Sequence, residues 1–331
     1  MIDGETFRIG MSVGIAIAPI NGTRPDQILR NADLALYRSK QDGRGVFRFF
    51  ESQMDSEVRE RRTLEIEMRQ ALENNEFVLH YQPLVSSESG EPTGMEALIR
   101  WNHPIRGYIP PSEFIPIAEQ SNLIQEIGDW TIREACRAAS QWPEHIVVAV
   151  NLSVPHFIRS DIASITSDAL AESGLSAERL ELEITESLLI DNTDEVLGKL
   201  RKIKDIGVTI AMDDFGTGYS SLAYLLKFPF DKIKIDRSFV IASSHDEVAK
   251  AILRMISALG DTLGMRITAE GVETREQVEF LRGIACHQLQ GFYFAKPLTP
   301  EDLPGFFLRG YCDKARAEAE SEAHSLTVVA S

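Results

Sequence analysis

The chain has 331 residues, with 50 Asp and Glu against 34 Lys and Arg, giving a formal net charge of −16. That balance argues against a binder of DNA or RNA duplexes or of membrane surfaces, which needs a basic face. It admits a phosphate substrate, provided that bound divalent cations invert the local field. Larger apolar runs such as Ile146–Val150 and Met265–Ala269 are far too short to span a bilayer, so no membrane segment is expected. No charged-then-apolar leader opens the chain, and Cys136, Cys286 and Cys312 lack CxxC spacing; the expectation is a cytoplasmic protein with reduced thiols.

Met11, Val13, Ile15 and Ile17 alternate with small residues, which predicts a strand. Asn21-Gly22 turns the chain, Pro25 opens a helix to about Lys40, and a short strand covers Val46–Phe50. Residues 1–50 are thus a small partial α+β segment, too little for an independent core. A charged helix follows from Asp55 to Asn74, with Leu64, Met68 and Leu72 spaced by four; residues 51–62 are read as its linker portion.

From there the pattern is regular. Eight strand-like runs appear: Phe77–Val85, Gly94–Trp101, Ile146–Ser153, Leu180–Glu186, Val208–Asp213, Lys232–Asp236, Arg266–Glu270 and Gln288–Phe294. Helical patterns separate most of them, at about Ser112–Trp142, Pro155–Ser173, Thr193–Ile206, Ser220–Lys227, His245–Leu263 and Thr274–Arg282. Strand–helix alternation on this scale predicts an α/β fold, a modified TIM-like (β/α)8 barrel over residues 63–310, since such barrels run to roughly 250 residues. The first two strands are joined by a short loop, so the first is expected to be antiparallel. Residues 311–331 lack apolar periodicity and read as a flexible tail.

Barrel enzymes place catalytic groups at the C-terminal strand ends. Here those ends carry Glu96, Asn151, Glu183 with Glu186, Asp213-Asp214, Lys234 with Asp236, Glu270 with Glu273, and Gln290. Unpaired buried carboxylates are costly, so an acid or amide at nearly every strand end points to a cation site. The donors are all hard oxygens with no His or Cys, which favours Mg2+ or Mn2+ over zinc. The Asp213-Asp214 pair suits two bridged ions, as in two-metal phosphoryl chemistry.

Several motifs in order then carry a family resemblance: Glu96-Ala97-Leu98-Ile99-Arg100-Trp101, Phe114-Ile115-Pro116-x-Ala118-Glu119, Asn151-Leu152-Ser153, Glu183-Ile184-Thr185-Glu186, Asp213-Asp214-Phe215-Gly216-Thr217-Gly218-Tyr219-Ser220, Lys234-Ile235-Asp236, Glu270-Gly271-Val272-Glu273 and Gln290-Gly291. The chain resembles the EAL-domain phosphodiesterases, which hydrolyse cyclic di-GMP to linear pGpG. The resemblance implies that Glu96, Asn151, Glu183 and Asp213 bind one Mg2+ or Mn2+, and that Asp213, Asp214 and Glu270 serve a second ion and its water. It implies catalytic roles for Glu270 as general base, for Lys234 and for Asp214. It also implies substrate contacts from Gln82, Arg100, Asp236, Glu273 and Gln290, and a loop-anchoring role for Glu186. In-line attack of water on one phosphodiester and a homodimer formed through the barrel follow in the same way. A catalytically silent cyclic di-GMP receptor or scaffold is the alternative, but it would need a lost ligand, and no catalytic position departs from the pattern.

The front end is similar to a second family. Ser12-Val13-Gly14-Ile15-Ala16, Ala32-Asp33-Leu34-Ala35-Leu36-Tyr37-Arg38-Ser39-Lys40 and Gly43-Arg44-Gly45 resemble the C-terminal third of a GGDEF (diguanylate cyclase) domain. The motif giving that domain its activity lies upstream of the matching part, so no cyclase activity is expected of these residues.

Overall fold

The computed structural model describes residues 10–189, 193–216 and 222–309. The expected tail over 311–331 and residues 217–221, which hold the end of the Asp213–Ser220 motif and the start of the helix expected from Ser220, lie outside the described residues. The chain divides into two compact units, Met1–Gln70 and Ala71–Ser331.

In the first unit, β1 (Val13–Ile15) and β2 (Phe47–Phe49) pair in parallel, joined by α1 (Pro25–Gln41). Parallel strands need such a crossover. A Cβ on Gly14 would lie 2.1 Å from backbone atoms of Ala32 and Leu36, so only glycine lets β1 sit directly on α1. Pro25 starts the helix at a position where its missing N–H is not needed. The long helix α2 (Ser52–Glu73) contains the division between the units.

In the second unit the strands are β3 (Phe77–Ser86), β4 (Pro92–His103), β5 (Gly107–Ile109), β6 (Val147–Leu152), β7 (Leu180–Thr185), β8 (Thr209–Phe215), β9 (Lys232–Ile235), β10 (Arg266–Ala269) and β11 (Gln288–Leu289). The order β3-β11-β10-β9-β8-β7-β6-β4, with β3 also paired to β4, closes an eight-stranded barrel; β5 extends β4 as a hairpin outside the ring. As expected, β3 is antiparallel to both neighbours, while the other ring strands run parallel to one another.

The helices are α3 (Pro111–Ser121), α4 (Leu123–Ala139), α5 (Val154–Arg159), α6 (Ile162–Ser173), α7 (Thr193–Ile206), α8 (Leu222–Lys227), α9 (Arg237–Ala242), α10 (Glu247–Leu263), α11 (Arg275–Gly283) and α12 (Leu303–Arg309). Two predicted helices are each a pair. The first breaks at Asn122, which adopts a left-handed φ of 66° that asparagine tolerates better than most residues. The second breaks at Ser160, and Asp161 caps the new helix by accepting from the Ser164 N–H at 3.3 Å. Apolar periodicity continues through both breaks, which is why the sequence does not announce them. β11 is also shorter than predicted, because residues after Leu289 fold onto the 270–273 loop: Val272 N–H donates to Gln290 O (2.9 Å) and Tyr293 N–H to Val272 O (3.0 Å).

Period-two alternation organises the barrel. Leu180, Leu182 and Ile184 of β7, and Ile233 and Ile235 of β9, join the hydrophobic core that the helices cover. The intervening Glu181, Glu183, Lys232 and Lys234 are buried as well, and they pair with each other across β8. The polar interior has two layers. In the lower one, Lys232 meets Glu181 at 2.5 Å, Thr268 donates to Gln288 at 3.1 Å, and Gln288 donates to Thr93 at 2.8 Å. The upper one is the candidate site. Among the described residues no helix is long and apolar enough to cross a membrane.

Gly291 is a sensitive point of this packing, since a Cβ there would lie 2.0 Å from Val272 O and meet only backbone. Gly291→Ala is therefore expected to destabilise the barrel by about 1–3 kcal/mol, the usual range for overpacking. A urea midpoint equal to the parent's would contradict this account.

Candidate functional site

Strand ends bring the polar residues together. Glu96 comes from β4, Asn151 from the end of β6, Glu183 from β7, Asp213 and Asp214 from β8, and Lys234 from β9. Glu270 directly follows β10, Gln290 follows β11, and Gln82 faces Glu96 across the antiparallel pair. Sequence separations of up to about two hundred residues collapse into one cluster.

Lys234 is its centre, at 1% exposure. Its ammonium lies 2.6 Å from Glu183, 2.6 Å from Glu270, 3.3 Å from Asp213 and 3.8 Å from Glu96. Burial alone would lower the Lys234 pKa, but Asp213, Glu183, Glu270 and Glu96 outweigh it and hold the ammonium well above its ordinary value. Glu96 is fixed from two further sides, accepting from Asn151 Nδ2 and Gln290 Nε2, both at 2.5 Å. Gln290 also donates to Gln82 Oε1 at 3.2 Å, and Gln82 donates to Ala295 O at 3.2 Å. These amides therefore orient Glu96 from the closing side of the barrel.

One ammonium does not balance five carboxylates. Burial, and then the neighbouring Glu96, Asp213 and Glu181, push the Glu183 carboxyl well up despite the opposing pull of Lys234. Asp214 is raised by burial and by Asp213 and Asp236. Glu270 is pushed up to about 8, first by burial and then by Asp213 and Glu96, against Lys234. Asp214 stands at a left-handed φ of 54°, with its N–H donating to Asp213 Oδ1 at 2.9 Å, so adjacent residues can both serve one site.

This donor set fits divalent cations. Asp213, Asp214 and Glu270 each offer an oxygen within 4.8 Å of the others, and Glu183 Oε1 is buried without a hydrogen-bond partner among the described residues. Hard oxygen donors with surplus negative charge match Mg2+ or Mn2+.

Other expected residues lie nearby but outside the ring. Arg100 sits four residues beyond Glu96 on β4 and donates to Ile99 O at 2.9 Å. It lines a cavity of about 310 Å3 that also contains Asn151, Glu119 and Thr185. Asp236 caps α9 by accepting from Ser238 N–H at 3.0 Å. Glu273 is exposed and lines a cavity of about 210 Å3 shared with Gln82, Glu96, Glu270 and Gln290. Glu186 is buried at the start of a 3-10 turn (Glu186–Leu189), while most of the loop it is expected to anchor lies outside the described residues. Sequence reasoning passed over Lys232 and Glu181, although they precede Lys234 and Glu183 by two residues and so share their face. It also passed over Arg237 and Phe292, for which no strand-end pattern exists.

A closed parallel-rich barrel with a cation-competent acidic cluster at its C-terminal strand ends defines a (β/α)-barrel with its site where such barrels keep their active sites. The EAL domain profile matches residues 66–297, and the chain belongs to the EAL-domain family. An uncharacterized signaling protein of Caulobacter vibrioides is 48% identical over 301 residues, covering 91% of this chain and 37% of that protein. The bifunctional diguanylate cyclase/cyclic di-GMP phosphodiesterase MucR of Pseudomonas aeruginosa is 43% identical over 306 residues, covering 91% and 45%. The chain thus spans less than half the length of these relatives. The solved PaMucR phosphodiesterase in its c-di-GMP complex aligns with a TM-score of 0.70 at 44% identity, covering 73% of this chain and 99% of that one.

The raised carboxyls set a pH dependence. Between the ordinary carboxylate value and about 8, folded Glu270 keeps a proton that the unfolded chain has released, so stability falls as pH rises through that window. Glu183 and Asp214 shift in the same direction and add to the slope. In EDTA, thermal midpoints are expected to drop from pH 5 to pH 8, less steeply in Glu270→Gln. Added Mn2+ should stabilise more at pH 8 than at pH 5, because cation and proton compete for the same oxygens. Stability that rises across this window would refute the assignment.

Proposed function

We propose that the barrel is a metal-dependent phosphodiesterase that hydrolyses cyclic di-GMP to linear pGpG in the cytoplasm. One observation carries the reading: a buried lysine inside a ring of carboxylates at the strand ends. The relatives named for this activity support the substrate class.

Glu96, Asn151, Glu183 and Asp213 would hold one Mg2+ or Mn2+, with Asp213, Asp214 and Glu270 holding a second. Such cations neutralise phosphate charge and acidify water. The remaining work falls to the chain. Lys234 is fixed by its carboxylates and presents its ammonium to the incoming water or the phosphate. Gln290 holds Glu96 and donates to Gln82, and the two amides would contact the reacting group from the antiparallel side. Arg100 supplies a planar guanidinium suited to a phosphate, and Asp236 and Glu273 flank the substrate. Water attacks phosphorus in line, the P–O3′ bond breaks, the 3′ oxygen leaves and takes up a proton from solvent, and Glu270 takes the attacking water's proton. For that, Glu270 must be unprotonated, a state that added positive charge beside it would favour, since burial pushes its carboxyl up.

Residues 1–50 are read as the C-terminal part of a GGDEF domain, 51–62 as a linker, and 63–310 as the phosphodiesterase. A homodimer through the barrel, near residues 219–230, belongs to the same reading.

The test is product formation. Purified protein with cyclic di-GMP and Mg2+ or Mn2+ should give pGpG, and EDTA should stop it. Glu96→Ala and Lys234→Met are each expected to lower turnover by about 10²- to 10³-fold, the scale for losing one electrostatic group of an active site. Binding of cyclic di-GMP with no product from the parent would favour the silent receptor instead.

A further inference from the structure

Beneath the carboxylate ring lies a charged pair that the hydrolytic reading does not use. Glu181 on β7 and Lys232 on β9 are 2% and 4% exposed, and each stands two residues before a ring member, Glu183 and Lys234. Residues two apart on a strand share a face, so two acids on β7 look across β8 at two ammonium groups on β9. The pairing among these four groups is sorted. Lys232 Nζ lies 2.7 Å from Glu181 Oε1 and 2.5 Å from its Oε2, while Lys234 Nζ lies 2.6 Å from Glu183. Among the described residues the Lys232 ammonium and the Glu181 carboxylate have no ion pair or hydrogen bond except with each other.

That sorting excludes a competing arrangement. Residues two apart on a strand are separated by about 6.6 Å, and the flexible four-carbon stem of a lysine covers such a span. Without Lys232, Glu181 would be an unpaired buried carboxylate within reach of Lys234, and an unpaired buried charge is costly enough to attract a counter-ion. Lys234 would then turn away from Glu270 and Asp213, towards the barrel floor. The strand between offers Glu181 no other cation: β8 places Thr209 beside Glu181 and Ala211 beside Glu183 and Lys232. The remaining polar groups of the lower layer are engaged, Thr268 donating to Gln288 at 3.1 Å and Gln288 to Thr93 at 2.8 Å. Stability alone does not account for the pair, since well-packed apolar residues of similar volume often serve a buried position as well as two ions do.

We infer that Lys232 is a positioning residue: by holding both oxygens of Glu181 it leaves the ring carboxylates as the partners of Lys234 and keeps that ammonium at the reacting end. Buried below the ring, it acts through Lys234 rather than on the reacting atoms. The pair also keeps the lower layer neutral, one ammonium to one carboxylate, so the surplus negative charge stays in the ring, where a cation can meet it. The turnover part of this inference rests on the metal-dependent hydrolytic reading, while the charge part rests on the cluster alone.

Mn2+ affinity, measured by isothermal titration without substrate, and turnover of cyclic di-GMP together separate this role from simple support of the fold. Lys232→Met should lower kcat by about tenfold or more, the scale of a misplaced active-site group. It should at the same time tighten Mn2+ binding by about tenfold, because the ring loses its ammonium. Glu181→Gln should weaken Mn2+ binding by about tenfold, because the freed Lys232 ammonium turns to the ring. Glu181→Met combined with Lys232→Met removes both competitors, so kcat and Mn2+ affinity should return to within about threefold of the parent, even if the thermal midpoint falls. Weaker Mn2+ binding in both single variants, as a loosened barrel would give, would overturn the inference. Parent-like kcat in Lys232→Met, or a double variant no better than Lys232→Met, would overturn it too. Should Lys232→Met not fold, Glu181→Gln decides, and parent-like Mn2+ affinity there sinks the inference. A parent that binds Mn2+ but makes no pGpG would remove the hydrolytic reading and leave the Mn2+ measurements to decide. A parent that binds no Mn2+ would remove both.

Discussion

The interaction on which the rest depends is the burial of one ammonium among carboxylates that could not be buried without it. An isolated ion in a barrel interior costs several kcal/mol, and a lone pair of ions often fails to recover that cost. Lys234 recovers it through contacts to Glu183 and Glu270 at 2.6 Å and to Asp213 at 3.3 Å, one partner from each of three strand ends. The geometry follows from pleating: Lys232 and Lys234, like Glu181 and Glu183, point to one side because a strand alternates. Their apolar neighbours Ile233, Ile235, Leu182 and Ile184 point the other way into the helical layer. The interior is therefore two stacked ion-pair layers, the lower one closed and the upper one open.

That upper layer is overcharged by design of its residue types. Five carboxylates face one ammonium, and the consequence is seen in the elevated Glu183, Asp214 and Glu270 groups. Only protons or cations can relieve it. The same imbalance that is expected to weaken the cation-free fold as pH rises suits the cluster's oxygens to hard divalent ions.

Much of this was legible in the sequence. The ring residues stand at the ends of short β-branched runs, and strand position alone brings them together whatever the loops do. The antiparallel first strand was legible too, because the short 86–92 connection permits nothing else. Helix interruptions at Asn122 and Ser160 were not, since Leu123, Ile124 and Ile127 continue the apolar face across the first break. Arg237 and Phe292 were hidden for a different reason: only the close backbone approaches at Gly271 and Gly291 make them neighbours, and such tertiary contacts leave no periodic trace. Arg100 and Asp236 show a further limit. A motif names the residue, but its present partners, the Ile99 carbonyl and the α9 N-terminus, come from local geometry.

The reversed strand also changes where the polypeptide is threaded. In a ring of uniformly parallel strands the first strand would begin at the floor, opposite the reactive end. Here Phe77 pairs with Trp101 beyond Glu96, and Leu84 pairs with Gly94 below it, so β3 descends from the rim. The chain meets Gln82 five residues after entering, before it has passed through the barrel floor. The hydrogen-bonded run Gln82–Gln290–Glu96 therefore begins only five residues from the point where the strand enters at the rim, on the side of the carboxylate ring.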